Sequence, residues 1–241
     1  MKILDKICDK NNDLYGKKPV TIAFLGDSVT QGCFECFFHD SGAIDTVFDE
    51  KNAYPERVKQ LLNLLYPRAQ INVINSGISG DNAVGGNSRF DRDITPYRPD
   101  LVVVAFGLND FAQGKENVTK YTDALGEIFD KVKNIGAECI FLAQNTVCRY
   151  ASCRLPDERH KNNATWLVGF EEDGTVEYYF DKGKETALSH GVAVCDMYSK
   201  WKRMYEKGVD VTELLANRLN HPIREMHYYT AIELIETMFK D

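Results

Sequence analysis

Five short runs of consecutive apolar residues punctuate the chain: "VTIAFL" (20–25), "INVIN" (71–75), "LVVVAF" (101–106), "CIFLAQ" (139–144) and "VAVCD" (192–196). Hydrophobicity that is continuous rather than alternating marks strands covered on both faces, as in a parallel sheet. Between the runs the period changes. In "YPERVKQLLNLLY", Val58, Leu61, Leu62 and Leu65 recur at the three- and four-residue steps of a helix, and Leu125, Ile128, Phe129 and Val132 do so in "YTDALGEIFDKVKNIG". Ala231, Leu234, Ile235 and Met238 form one more stripe near the end, while Asp210 and Glu213 have capping-box spacing and read as helix-start residues before it. Strand and helix in alternation predict an α/β fold around a parallel sheet of about five strands.

One interval breaks the rhythm. Residues 146–176 hold no clear strand, contain "CRLPDERHKNNATW", and exceed what a compact domain spends on a connection, so they are expected to form a lid or part of a substrate wall. No repeat or Pro/Gly-rich linker appears, and 241 residues with 44% hydrophobic content suit one core, so residues 1–241 read as a single domain.

Charge narrows the partners. A formal net charge of -7 repels nucleic acid and anionic membrane surfaces, leaving small molecules or proteins. The N-terminal "MKILDKICDKNNDLYGKK" scatters charge through any would-be apolar segment, and no run is long enough to span a bilayer. Seven cysteines, an odd number, fit free thiols in a reducing compartment better than a disulfide framework. The expectation is a soluble, cytoplasmic protein.

In a parallel α/β sheet, ligands collect at the carboxyl ends of the strands. There the first run ends in "GDS" (Gly26, Asp27, Ser28), the second in "SGISGDN" with Gly80, Asp81 and Asn82, and the third in "GLND" with Asn109 and Asp110. Each block alone is what a turn or helix cap uses. Together they would bring a hydroxyl, a glycine backbone and a side-chain amide to one edge, the parts acyl transfer needs for its nucleophile and oxyanion. The missing part is a base. Of five histidines, His39 and His160 sit in polar stretches and read as solvated or lid contacts; His190 ends a helix and His227 packs on the last one. His221, in "NHP" before the final helix, lies where a loop returns to the catalytic edge.

At these residues the chain resembles the GDSL or SGNH hydrolases, across nearly its whole length: "GDS" near the start, the glycine of "SGD", "GLND" as a Gly-x-Asn-Asp block, and a His-Pro near the end. The resemblance implies a three-layer α/β/α, flavodoxin-like fold. It implies Ser28 as nucleophile, the Gly80 N–H and the Asn109 amide as oxyanion donors with the Ser28 N–H completing the hole, and His221 as general base. The family usually places an acid three residues before the histidine, but Arg218 stands there, with Asn217 one residue earlier. The expectation is therefore a Ser28–His221 dyad assisted by an amide or main-chain acceptor. The implied substrate is a carboxylic ester, with Arg149, Tyr150, Arg154, Asp157 and Trp166 near the site favouring a short acyl group on a polar or sugar-borne alcohol.

Rival readings fit less well. "GDSVTQG" lacks the Gly-Lys-Ser/Thr of a P-loop, "GISGDNAVGG" lacks a dinucleotide fingerprint, and Ser28 is not in a Gly-x-Ser-x-Gly elbow. Cys33 and Cys36 form a C-x-x-C and Cys148 and Cys153 another close pair, but the aromatic surroundings of the first and the gap of the second read as packing thiols. Neither cofactor nor metal is expected. A non-catalytic small-molecule or nucleotide-binding α/β protein is the alternative.

Overall fold

The computed structural model describes residues 1–39, 41 and 43–240. Five parallel strands, β1 (Val20–Gly26), β4 (Ile71–Gly77), β5 (Leu101–Ala105), β6 (Glu138–Ala143) and β7 (Ala193–Asp196), form the main sheet in the order β4-β1-β5-β6-β7. Taken in order of appearance that is 2-1-3-4-5, the flavodoxin-like winding. The continuous apolar runs map onto the middle: every residue of β5 is buried, as are six of the seven in β1, while the edge strand β4 is mostly half-exposed. Helices α1 (Lys2–Asn12), α3 (Tyr54–Leu65) and α9 (Arg224–Phe239) pack together, and α4 (Ala83–Asp93), α5 (Val118–Asn134) and α7 (Thr175–Ser189) pack in succession, so the architecture is three-layered.

The predicted stripes carry the helix packing. Leu125, Ile128, Phe129 and Val132 are buried on α5, as are Ala231, Leu234, Ile235 and Met238 on α9. Of the predicted α3 stripe, Val58 and Leu62 are buried, Leu61 is half-buried and Leu65 faces solvent. Asp210 and Glu213 start no helix: residues 211–217 run as turns around an isolated bridge from Leu215 to Pro222, and the Asp210 carboxylate accepts from the Thr212 N–H at 3.1 Å.

Two elements departed from the periodicity. Residues after the first loop form an antiparallel hairpin outside the main sheet, β2 (Cys33–Phe38) with β3 (Ile44–Phe48). "CFECFF" is too short and too uniformly aromatic to show alternation. The interval 146–176 contains a buried loop, with Val147, Cys148 and Leu155 in the core, then α6 (Glu158–Glu172) and the start of α7. The short helices α2 (Ser28–Gln31) and α8 (Met197–Glu206) complete the chain.

Sheet register brings the loops together. Gly26 at the end of β1 lies level with Gly77 of β4 and Ala105 of β5, so the segments that follow all three strands leave the sheet side by side. This is the switch point of the winding, where β1 connects outward to β4 and the chain then crosses to β5.

Candidate active site

Asp27, not Ser28, caps the single turn of α2: its carboxylate accepts from the Val29 N–H at 2.9 Å. Ser28 is thereby the first residue of the turn. Its own N–H has no intrahelical partner and its hydroxyl is free to face the cleft. Asp27 is 1% exposed and also accepts from the Gln144 amide at 2.9 Å. Burial pushes its pKa up to about 6, against the lowering effect of those hydrogen bonds.

The Ser28 hydroxyl lies 2.9 Å from His221 Nε2. His221 Nδ1 lies 3.0 Å from the main-chain carbonyl of Phe34 in β2. A carbonyl only accepts, so Nδ1 carries the proton and Nε2 presents its lone pair to the serine O–H. The ring is 5% exposed, and burial pushes its pKa down to about 4, partly opposed by the Phe34 hydrogen bond. It is a neutral base ready to take a proton.

Among the described residues, no carboxylate is hydrogen-bonded to His221. Arg218 has a left-handed backbone (φ 53°) and turns its guanidinium to Glu213 at 3.4 Å. Glu213 in turn pairs with Arg154, and Asp210 accepts from the Tyr150 hydroxyl at 2.7 Å, so both acids fasten the surrounding loops. Asn217 shapes the base loop instead: its side-chain oxygen accepts the N–H groups of Leu219, Asn220 and His221 at 2.9–3.0 Å. The orienting acceptor comes from a hairpin nearly two hundred residues away in sequence, and a backbone carbonyl leaves no mark on residue identity.

Gly80 and Asn109 complete the edge. Gly80 has φ +80°, a left-handed conformation that favours glycine, and its N–H has no partner among the described residues. The Asn109 amide donates to the Asp81 carbonyl at 2.8 Å, which uses one of its two N–H bonds and leaves the other for the cleft. Next to it, Asp110 accepts from the Ala83 N–H at 2.9 Å and is 2% exposed; burial, with Asp27 nearby, pushes it up to about 7. Ser28, Gly80, Asn109 and His221 line one cleft of about 250 Å³. The cleft thus holds a hydroxyl, an imidazole, backbone N–H groups and an amide, the groups that acyl transfer uses.

Other expectations shift. Of the five residues near the proposed substrate side, only Trp166 lines the cleft; Arg149 pairs with Glu171 at 2.7 Å, and Asp157 caps α6. Asn163 on α6 and Phe38, Ile44 and Thr46 on the hairpin line it instead. Their placement depends on tertiary packing rather than on a local motif. His160 is not solvated: it is 2% exposed at the start of α6, between Asp157 and the Cys36 carbonyl at 2.9 and 3.0 Å. His39 pairs with Asp45 at the surface, His190 ends α7, and buried His227 accepts the Tyr54 N–H at 3.1 Å. Cys33 and Cys148 are buried, Cys153 is exposed, and Cys36 reaches the cleft with its sulfur 3.6 Å from His221 Nδ1.

Residues 24–228 match the family described as GDSL-like Lipase/Acylhydrolase. The chain belongs to the GDSL-like lipase/acylhydrolase family. Among curated relatives, it is 33% identical over 89 residues to an acetylxylan esterase of Geobacillus stearothermophilus, covering 37% of this chain and 39% of that one. It is 32% identical over 114 residues to the uncharacterized lipoprotein YqeF of Bacillus subtilis, covering 43% and 46%. The alignment thus spans less than half the length of either relative. The solved structure of Axe2, an acetylxylan esterase from Geobacillus stearothermophilus, superposes with a TM-score of 0.65 over 92% of this GDSL-family chain and 95% of its own, at 21% identity. That likeness concerns the fold.

Proposed function

We propose that the protein is a serine esterase that removes a short acyl group, of the acetyl type, from a polar or carbohydrate alcohol. The observation that carries this reading is the Ser28 hydroxyl 2.9 Å from His221 Nε2, with Nδ1 held by the Phe34 carbonyl at 3.0 Å. The family membership and the acetylxylan esterase relative support the same reaction class.

Ser28 Oγ attacks the ester carbonyl carbon while its proton passes to His221 Nε2, and the carbonyl π pair moves onto oxygen. The N–H groups of Ser28 and Gly80 and the free N–H of Asn109 hold that oxyanion. Collapse of the intermediate expels the alcohol oxygen, which takes the proton from His221. Water then repeats the sequence on the acyl-serine and releases the carboxylic acid. The Phe34 carbonyl fixes the ring and offers a dipole to the transient imidazolium, with less stabilisation than a full negative charge would give.

A fluorophosphonate is expected to label Ser28 in stoichiometric amount and to abolish hydrolysis of a generic acetyl ester, while Ser28→Ala neither labels nor turns over. Unimpaired turnover by Ser28→Ala would remove Ser28 from the reaction. We place the protein in the cytoplasm on the strength of its seven free thiols, which suit a reducing compartment.

A further inference from the structure

The wall of the cleft contributed by α6 has no part in the bond-breaking steps, yet its chemistry is specific. Asn163 and Trp166 stand three residues apart, so they share one face of the helix, and both line the cleft. Trp166 is half-exposed, its ring held edge-to-face by Phe170 at 5.0 Å. Among the described residues, the Asn163 amide and the indole N–H of Trp166, both in the cleft lining, have no hydrogen-bond partner. The Thr46 hydroxyl and the apolar side chains of Phe38 and Ile44 line the same cleft.

Charge is as informative as polarity. No Lys, Arg, Asp or Glu is among the described residues lining the cleft, and His221 is neutral there. A phosphorylated or carboxylated alcohol would find no counter-charge. An alkyl chain would cover the Asn163 amide and the Trp166 N–H without pairing them, which penalises a lipid ester. A ring with apolar C–H faces and equatorial hydroxyls satisfies both demands at once, lying on the indole and bonding to the amide.

We propose that Trp166 and Asn163 form the subsite for the alcohol half of the ester, and that it takes an uncharged, hydroxyl-bearing ring of pyranose type. The proposal rests on the esterase reading of Ser28 and His221 and adds to it the residues that select the leaving group. Two acetyl esters separate the two ideas: ethyl acetate, whose alcohol half has neither a ring to stack nor a hydroxyl to pair, and an acetylated methyl pyranoside, both followed by acid release at constant pH. Trp166→Ala and Asn163→Leu are expected to lower kcat/KM on the pyranoside by about tenfold, mainly through KM, and to leave ethyl acetate within about twofold. Equal losses on both substrates would make Trp166 a structural residue and overturn the subsite. So would unchanged kinetics on the pyranoside, or a parent enzyme faster on the polyanionic acetyl-coenzyme A than on the sugar ester. Absence of turnover on every ester would instead reject the esterase reading itself.

Discussion

In the proposed mechanism, the Asn109 side chain serves both a scaffold and a reaction. One amide N–H ties it to the Asp81 carbonyl at 2.8 Å, and the other remains for an oxyanion. Because a hydrogen bond to that oxygen strengthens as charge develops on it, Asn109→Ala is expected to reduce kcat by about 10²–10³-fold while KM changes little. Steady-state kinetics below the melting temperature of the variant test this, and near-normal kcat with a lowered Tm would reduce Asn109 to a loop anchor. At this scale the sequence was readable where chemistry resides in side chains. Ser28, Gly80, Asn109 and His221 all reach the same cleft. It anticipated an amide or main-chain acceptor for His221 without naming Phe34, and its solvated reading of His160 failed because polar neighbours in sequence concealed a buried position.

Among the elements, the strand runs and helical stripes were legible because burial on both faces of a sheet, or on one face of a helix, imposes a period. The β2–β3 hairpin was not, since its position is set by tertiary packing; for residues 146–176 a lid or substrate wall was expected, and what the sequence left unread was the helix α6 that supplies the wall. A single buried side chain joins the loops that those strands deliver. From α4, Arg89 donates to the Gly26 and Ser76 carbonyls at 2.9 and 2.7 Å and pairs with Asp81 and Asp93 at 2.6 and 3.0 Å. It therefore fixes the end of β1 just before Ser28, the end of β4, and the residue after Gly80. Lysine keeps the charge but cannot reproduce the planar fork that serves these acceptors together. Arg89→Lys is expected to lower kcat by about tenfold or more with KM close to the parent, since the donors aim at the transition state more than at bound ester. A variant that melts earlier yet retains full kcat would show that the loops hold their geometry without the guanidinium.

For the molecule as a whole, buried ionisable groups set opposing dependences on pH. Burial holds Asp27 at about 6 and Asp110 at about 7, above their unfolded values, so their contribution to stability is complete at low pH and is lost as pH rises through those values. Burial holds His221 at about 4 and His227 at about 3, below their unfolded values, so their contribution grows as pH rises toward about 6.5. The two pairs pull against each other between about pH 4 and 7. Asp110→Asn, which can still accept from the Ala83 N–H, removes one falling contribution. Its melting temperature is expected to climb more steeply with pH across that window than the parent's, and parallel melting curves would mean that Asp110 is ionised in the folded protein throughout. The Phe34 carbonyl has a different kind of consequence. A side-chain acid can be erased by one codon change, but every amino acid carries a main-chain carbonyl, so drift at position 34 leaves the acceptor chemistry intact. What inheritance must preserve there is the path of the hairpin, and lineages that share this arrangement are free to share no letter at that position.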